Sequence, residues 1–310
     1  MKIAFVFPGQ GSQSVGMMQS FAEFPCVRET FAQASVLLGQ DLWQLTSAGP
    51  AEELNLTVNT QPVMLVAGVA LYRAWQAREG LAPAIMAGHS LGEYTALVAS
   101  GALDFADALP LVRFRARAMQ EAVPAGAGAM AAILGLDDDV VRAVCAEASG
   151  PDEVAEAANF NSPAQVVIAG NKAAVERGME IARARGAKRA VLLPMSVPSH
   201  CSLMQPAAER MREQLGSASF RRGAIPVLHN ADVKCAESAD EIKDALVRQM
   251  IQPVRWVETV RQMVSIGVTH IVECGPGKVL AGLNKRIAPK TQMLSFSDGV
   301  AFRQALSALK

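Results

Sequence analysis

The stretch AIMAGHSLGEYTALVAS, residues 84 to 100, contains the turn from which the fold can be argued. Residues 84–87 form a short apolar run that ends at Gly88, which is typical of a buried strand. Residues 91–100 then have the character of a helix. The pattern G-x-S-x-G spans residues 88–92, between this strand and this helix, where it presents a serine nucleophile. Ser90 is therefore the candidate nucleophile.

The turn at Ser90 would expose the serine hydroxyl and place it beside an oxyanion-binding N–H group. A sharp strand-to-helix turn strains the serine backbone, and only small flanking residues permit such a turn. The hydroxyl group then projects above the sheet at the N-terminus of the helix. There the backbone N–H of Leu91 can stabilise an oxyanion, and the helix dipole adds to the effect.

A serine nucleophile needs a base within hydrogen-bonding distance, and the chain has four histidines. His89 is adjacent to Ser90 and is expected to point another way. His270 begins an apolar strand and is expected to be structural. His200 and His229 both follow predicted strands, and position alone leaves either of them open as the base.

Composition sets limits on the class of protein. The chain has 310 residues, 51% hydrophobic and 19% charged, enough for one large domain with an insertion or for two domains. Lys plus Arg and Asp plus Glu both number 29, so no overall charge favours nucleic acid. The five scattered cysteines form no CxxC pair, which indicates reduced thiols and no metal site. Without a signal peptide or membrane-spanning run, we expect a cytoplasmic protein with no membrane partner.

Strands and helices alternate through most of the chain. We predict helices over 27–38 and 63–78, and strands over 3–7, 84–87, 225–228, 270–274 and 293–296. This alternation favours an α/β fold of hydrolase-like type, with a mainly parallel sheet and helices on both faces.

The middle of the chain has a different order of elements. We predict strands over 129–134, 154–160, 165–169 and 188–194, and helices over 137–149 and 172–185, with a break at Asn161-Ser162-Pro163. The resulting βαββαβ order is the ferredoxin-like unit. We therefore expect a small subdomain over 125–197, entered through a glycine hinge at 126–128. Residues 1–124 and 198–310 would form the large catalytic subdomain.

Four separated motifs occur in one order: FPGQGSQ at 7–13, GHSLGEY at 88–94, VPSH at 197–200 and GPG at 275–277. Together they make the chain resemble the malonyl-CoA:acyl carrier protein transacylases, nearly from end to end. The resemblance implies an acyltransferase that loads a malonyl group from malonyl-CoA onto Ser90. It then passes the group to the phosphopantetheine thiol of holo acyl carrier protein, by a ping-pong route, for fatty acid synthesis.

The resemblance also implies roles for single residues. They are Ser90 as nucleophile, His200 as base, Gln10 and Leu91 as oxyanion-hole amides, Arg115 as the carboxylate-binding group, and Gln249 as the residue whose backbone carbonyl orients His200. Asn159 and Asn161 lie on a matching segment and are equally explained as turn and strand-end residues. No metal or cofactor is implied beyond the coenzyme A thioester, and we expect a monomer.

Arg115 has support from helical periodicity as well. It borders the apolar face that includes Leu109 and Val112, whereas Arg117 points well away from that face. A planar guanidinium beside a core face can reach an interior cleft and bind a carboxylate with both nitrogens. We expect a short turn from Asp104, with Pro110 opening the main helix at its first position.

Other readings remain open or fail. A serine hydrolase remains an alternative function, because it would use the same acyl-serine. A non-catalytic scaffold that docks the carrier is a third, but it would need neither Ser90 nor His200. A malonyl transferase could also serve polyketide synthesis or malonate decarboxylation in place of fatty acid synthesis. Dinucleotide binding fails because Ser14 stands where the third glycine belongs, and a P-loop fails at Val279. The basic pairs at 188–189 and 285–286 could steer an acidic carrier or simply be solvated.

Overall fold

The computed structural model describes residues 1–195 and 197–309 and contains two separate β-sheets. The strands are β1 Ile3–Phe7, β2 Ile85–Gly88, β3 Gly128–Leu134, β4 Ala155–Ser162, β5 Gln165–Asn171, β6 Arg189–Leu192, β7 Val227–Leu228, β8 His270–Glu273 and β9 Gln292–Ser295. The helices are α1 Pro25–Leu38, α2 Leu42–Ala48, α3 Ala51–Leu54, α4 Thr57–Ala77, α5 Gly92–Ala99, α6 Phe105–Glu121, α7 Asp138–Ala148, α8 Lys172–Ala184, α9 Gln205–Ser217, α10 Ala239–Ile251, α11 Trp256–Ser265, α12 Val279–Ile287 and α13 Gly299–Ala308. None of the helices in the described ranges has the length and apolar character needed to cross a bilayer.

The larger sheet has the order β7-β2-β1-β8-β9, and all its neighbouring strands are parallel. The central strand β1 is buried on both faces. Its side chains alternate, so that Phe5 and Phe7 join the core under α4 to α6, while Ala4 and Val6 join the core under α11 and α12. The predicted α/β class, with helices on both faces of a parallel sheet, is confirmed.

The smaller sheet is antiparallel, with the order β4-β5-β3-β6. Helices α7 and α8 cover one face, and their apolar side chains pack on Ile133 and Ile168 to form a separate core. The βαββαβ order and the ferredoxin-like arrangement are as predicted. All four strands lie between Gly128 and Leu192. The subdomain boundaries at 124/125 and 197/198 stay a prediction.

Backbone hydrogen bonds connect the small sheet to the large subdomain. The Phe160 N–H of β4 donates to the Val254 carbonyl at 3.0 Å, and the Val254 N–H donates to the Ala158 carbonyl at 2.9 Å. Val254 therefore pairs with β4 as a short parallel bridge. This pairing sets the position of β4 beside the segment that follows α10.

Two helices continue through prolines, contrary to the sequence analysis. Helix α6 is unbroken, so the expectation that Pro110 opens it was wrong. Helix α4 begins at Thr57 rather than at residue 63, and Pro62 lies inside it. Each proline is the sixth residue of its helix.

The energetic reasons for these continuous helices differ. A proline inside a helix costs about 3 kcal/mol, whereas each large apolar side chain that is buried contributes about 1.5–3 kcal/mol. In α6 the first turns bury Phe105 and Leu109, which offsets the proline. In α4 the first turn is held by side chains instead. The Asn59 and Thr60 side chains donate to the carbonyls of Glu53 and Leu54 at the end of α3, at 2.8 and 2.6 Å.

The turn between β4 and β5 is also displaced. Strand β4 continues to Ser162, beyond the predicted end at residue 160, and Ser162 pairs with Gln165. The expected break at 161–163 therefore moves to Pro163-Ala164, and Ala164 adopts a left-handed φ of 57°. As a result Asn161 is a strand residue.

An aromatic cluster fixes the C-terminal helix to the large sheet. The ring of Phe302 in α13 lies 4.9 Å from Phe296 and 6.2 Å from Trp75, centroid to centroid. Trp75 in turn stacks on Phe296 at 5.3 Å and contacts Phe5 of β1 edge-on. Such aromatic pairs add to the stabilisation that burial provides.

Replacing Phe302 with alanine should therefore lower the free energy of unfolding by about 3–5 kcal/mol, because a fully buried ring leaves a cavity. Urea denaturation followed by circular dichroism measures the change. Val300→Ala is the control on the same helix, since Val300 is 58% exposed, and it should change stability by less than about 0.5 kcal/mol. Equal effects of the two variants would contradict this account of α13.

Candidate active site

The turn between β2 and α5 holds Ser90 in a left-handed conformation with φ of 52°. The flanking glycines are required by space. A Cβ atom at Gly88 would lie 1.8 Å from the carbonyl carbon of Gly92, and one at Gly92 would lie 2.0 Å from the Phe7 oxygen. Strand β1, strand β2 and helix α5 therefore touch at this turn, which explains why the serine is flanked by these glycines.

His200 is the histidine beside Ser90. Its Nε2 lies 2.7 Å from the Ser90 Oγ, and the side chain is 2% exposed. His229, the other histidine that sequence position left open, is buried elsewhere, with Nδ1 2.8 Å from Glu93 Oε1. His270 lies at the start of β8, where it contacts Thr269.

The other ring nitrogen of His200 contacts the main chain at the end of α10. His200 Nδ1 lies 2.7 Å from the Gln249 carbonyl oxygen. Within the helix this carbonyl would accept from the N–H of residue 253, which is a proline and has none. It is one of the unpaired carbonyls at a helix C-terminus, where the dipole favours positive charge. Across the described ranges, no Asp or Glu oxygen hydrogen-bonds to His200.

The Gln249 side chain connects three parts of the site. Its Nε2 donates to the Ser90 carbonyl and to Glu93 Oε2, each at 3.0 Å, while its Oε1 accepts from Arg115 at 2.9 Å. Gln249 is fully buried. One residue thus contacts the imidazole through its backbone and the guanidinium through its side chain.

Arg115 is 1% exposed and lines the same cleft as Ser90. Its guanidinium donates to Gln61 Oε1 at 2.8 Å and lies 3.3 Å from the Ser90 Oγ. Both glutamine partners are neutral, and in the described chain the Arg115 Nε has no hydrogen-bond partner. Arg117 is exposed, as its place on the helix predicts. The guanidinium charge is therefore directed at the cleft without a carboxylate bonded to it.

The loop after β1 lies directly against the turn at Ser90. A Cβ atom at Gly9 would be 2.5 Å from the His89 oxygen and 3.8 Å from the Leu91 nitrogen. Gln10 and Leu91 both line the cleft. Within residues 1–195 and 197–309, neither of their backbone N–H groups donates to a protein acceptor. Both are available to an oxygen atom bound above Ser90.

The cleft between the two sheets has a volume of about 170 Å³. This is below the roughly 300–1,000 Å³ of pockets for drug-sized ligands, so it suits a small acyl group. Its apolar wall includes Met119, Met130 and Leu280. Asn159 and Asn161 of β4 also line it, and Asn161 Oδ1 lies 2.8 Å from His89 Nε2.

Other candidate groups lie apart from this chemistry. Cys201 is fully buried, and burial raises the pKa of its thiol to about 12, which disfavours a reactive thiolate. In the part of the chain that is described, no three His, Cys, Asp or Glu side chains could hold a metal ion together. Lys285 and Arg286 are exposed on α12, and Arg286 donates to Gln165 Oε1 at 2.7 Å.

Four features of the site were not predicted from the sequence. They are Gln61, Glu93, Asn230 and the side chain of Gln249. Glu93 lies three residues after Ser90, one helical turn away, within a motif that was quoted only as a whole. Asn230 follows the end of β7, and the carboxyl ends of parallel strands are where such sheets bind ligands. These two positions carried a signal, whereas Gln61 lay outside the helix predicted over 63–78.

The family model, the curated relatives and the solved structures that resemble this chain all belong to the acyltransferases. The model of the acyl transferase domain family matches residues 4–290. The malonyl CoA-acyl carrier protein transacylase of Escherichia coli (strain K12) is 56% identical over 306 residues, covering 98% of this chain and 99% of that protein. An acyl-carrier-protein S-malonyltransferase from Burkholderia pseudomallei 1710b has a TM-score of 0.97 at 60% identity, covering 99% of this chain and 100% of that one. A malonyl-transacylase solved in complex with a type II PKS acyl-carrier protein has a TM-score of 0.98 at 50% identity, with coverage of 99% and 100%.

The environment of His200 predicts an unusual pH dependence. Burial, and next the charge of Arg115, lower the pKa of His200 to about 3, so the imidazole is neutral and able to accept a proton. The rate at which a fluorophosphonate labels Ser90 should therefore not fall between pH 7 and pH 5. An ordinary histidine with a pKa near 6.5 would lose about tenfold or more over this range.

The same shift affects stability. Between pH 6.5 and pH 3 the unfolded histidine binds a proton that the native one does not, so the free energy of unfolding decreases as pH falls. NMR titration of His200 measures the pKa directly, and His200→Asn removes this contribution to the pH dependence of unfolding. A native pKa near 6.5 would show that the imidazole is not buried as described.

Proposed function

The chain belongs to the acyl transferase domain family, and we propose that it transfers a malonyl group from malonyl-CoA to the phosphopantetheine thiol of an acyl carrier protein. The observation that carries the proposal is the meeting of Ser90, His200 and Arg115 in one small cleft. A nucleophile and a base suffice for any acyl transfer. A buried arginine directed at the same point adds recognition of an acyl group that ends in a carboxylate.

In the first half of the reaction, His200 Nε2 takes the proton from the Ser90 Oγ as this oxygen attacks the thioester carbon of malonyl-CoA. The backbone N–H groups of Gln10 and Leu91 stabilise the oxyanion that forms, and losing one such donor typically costs about 3–4 kcal/mol. The carbon–sulfur bond then breaks, and the coenzyme A thiolate leaves with the proton from His200. The malonyl group remains on Ser90 as an ester.

In the second half, the thiol of the carrier's phosphopantetheine arm enters where coenzyme A left. His200 takes the thiol proton, the sulfur attacks the malonyl-serine ester, and the same two amides stabilise the oxyanion. The carbon–oxygen bond to Ser90 breaks and the serine oxygen recovers its proton from His200. No redox step or metal takes part, so the proposal requires no cofactor besides the thioester substrate.

Arg115 selects the acyl group in this proposal. The free malonyl carboxylate would bind the guanidinium, whose acceptors among the described residues are neutral: the side-chain carbonyls of Gln61 and Gln249 and the Ser90 hydroxyl. A charged hydrogen bond to a carboxylate is about twice as strong as a neutral one. Burial makes the preference stronger, because an unpaired charge in the cleft is costly.

The pathway and the setting are also proposed. Fatty acid synthesis is the pathway that we favour, because the E. coli relative covers 98% of the chain at 56% identity. The solved complex with a type II PKS carrier keeps polyketide synthesis as the second candidate. A monomer located in the cytoplasm stays a prediction, and so does a role in carrier docking of the exposed pairs Lys188-Arg189 and Lys285-Arg286.

Incubation with malonyl-CoA should add the mass of one malonyl group to the protein, because Ser90 is the acyl acceptor. Ser90→Ala should abolish the adduct completely, and intact-protein mass spectrometry measures it. Ser100→Ala is a matched control, since Ser100 is a buried serine at the other end of α5, and it should be labelled like the wild type. A malonyl adduct on the Ser90→Ala variant would remove this serine from the mechanism.

The same samples separate a transferase from a serine hydrolase. The malonyl-enzyme of a transferase should persist in buffer and disappear when holo acyl carrier protein is added, with malonyl-carrier as the product. Rapid loss of the adduct in buffer, with free malonate as the product, would instead establish hydrolysis.

Arg115→Ala should reduce the malonyl loading rate sharply, since a buried carboxylate would lose a partner worth about 3–5 kcal/mol. Acetyl-CoA brings no carboxylate, so acetyl loading should fall much less or even rise. Stopped-flow or quenched loading with each thioester gives the ratio. Arg117→Ala, on the exposed side of the same helix, should leave that ratio unchanged. Equal losses for both acyl groups would mean that Arg115 is structural.

A further inference from the structure

Asn230 is a fully buried residue that lies under the turn at Ser90, two residues after the end of β7. Its Oδ1 accepts the Ser90 N–H at 2.7 Å, and its Nδ2 donates to the Gly88 carbonyl at 2.7 Å. The side chain thus bonds to the residues on both sides of His89. A primary amide is suited to this, because it offers an acceptor and a donor side by side.

The main chain of Asn230 is held equally firmly. Its N–H donates to Glu93 Oε2 at 2.8 Å, and its carbonyl accepts from the Arg255 N–H at 3.2 Å. Glu93 is fully buried, and its other carboxylate oxygen contacts His229 Nδ1 at 2.8 Å. Two consecutive residues after β7 are therefore attached to one carboxylate on α5.

The segment that carries Asn230 closes on itself. The Val233 N–H donates to the His229 carbonyl at 3.0 Å, and the His229 N–H donates to the Lys234 carbonyl at 2.9 Å. Val233 adopts a left-handed φ of 60°, which is strained for a β-branched residue. Backbone strain of this kind persists only where the surroundings over-determine it, and it concentrates at functional sites.

Ser90 itself is in a strained backbone conformation that needs external support. A non-glycine residue at φ 52° costs about 1–3 kcal/mol. The glycines at 88 and 92 supply space, the Gly92 N–H donates to the His89 carbonyl at 2.9 Å, and Gln249 Nε2 donates to the Ser90 carbonyl at 3.0 Å. The Asn230 side chain is the group that bonds to the Ser90 N–H. It also removes that N–H from the cleft, so that Leu91 supplies the donor at this turn.

We infer that Asn230 is a positioning residue, which holds the backbone from Gly88 to Ser90 so that the Ser90 Oγ points at His200, with Glu93 as its buried anchor. The proposal goes beyond the function proposed above and uses that function only for one of its assays. Asn230 touches no substrate in this account. It acts through the nucleophile, and its loss should slow the attack of Ser90 without weakening the binding of the thioester.

The test compares Asn230→Ala with the wild type in single-turnover loading of malonyl-CoA. We expect the maximal acylation rate to fall about 100-fold, because misplacing a reacting atom by about 1 Å costs that much, while the concentration for half-maximal rate stays within about twofold. Asn284→Ala is the matched control, since Asn284 is equally buried but bonds to Trp256 Nε1 outside the cleft lining. An acylation rate for Asn230→Ala like that of the control would overturn the proposal, and so would a change confined to the half-maximal concentration.

Fluorophosphonate labelling separates this proposal from the proposed function, because the probe reports on Ser90 without needing a malonyl group or a carrier. Labelling that slows in Asn230→Ala and not in Asn284→Ala supports the positioning role, even if malonyl-CoA fails to load the wild type. Labelling at the wild-type rate overturns that role, even if malonyl transfer is established.

Asn230→Asp provides a variant of the same shape should the alanine variant not fold. An ionised Asp accepts from the Ser90 N–H but cannot donate to the Gly88 carbonyl, and it lies close to the Glu93 carboxylate and the His229 ring. A protonated Asp restores both bonds. Labelling of this variant should therefore be slow at pH 8 and recover towards pH 5.5, where the low pKa of His200 keeps the base neutral. A rate as high as that of the wild type at pH 8 would overturn the proposal.

Discussion

The left-handed turn at Ser90 is the constraint on which the rest of the structure depends, because β1, β2 and α5 meet there without room for a side chain at Gly88 or Gly92. Such close contact requires β2 to lie beside β1 in the middle of a parallel sheet, with α5 starting directly above the strand ends. Every other group of the site is then arranged around one oxygen atom. His200, Arg115 and the loop before Gln10 approach it from three different parts of the chain.

His200, the proposed base, is contacted by a helix end instead of an acidic side chain. Helix α10 presents the Gln249 carbonyl because Pro253 cannot donate to it, and the negative end of the helix dipole lies in the same place. A carbonyl stabilises an imidazolium less than a carboxylate does, so the resulting base is weaker. For the proposed reaction this is sufficient, because a thiol leaves more easily than an amine. The neutral side chain of Gln249 accepts from Arg115 and leaves the guanidinium charge uncompensated, whereas a carboxylate at this position would neutralise it.

Local patterns in the sequence predicted the turn, the two sheets and the βαββαβ order, because strand, turn and helix signals act between neighbouring residues. Position in the sequence could not show which of His200 and His229 lies beside Ser90, since both follow predicted strands. The two histidines differ in their contacts, because His200 contacts the Ser90 hydroxyl and His229 contacts the Glu93 carboxylate. Pro110 misled the helix prediction because burial offset its local cost. Glu93 and Asn230 were missed for a related reason. Their contacts join residues 137 apart in the chain, and no local pattern encodes that distance.

The pairing of β4 with Val254 affects the tendency of the protein to aggregate at high concentration. A sheet with an uncovered outer strand offers a row of free N–H and C=O groups that a second molecule can extend into a shared sheet. The N–H of Phe160 and the carbonyl of Ala158 are already bonded within the chain, so the outer side of β4 is blocked at its middle. The contact that joins the two subdomains thus also protects the β4 edge of the small sheet from edge-to-edge aggregation.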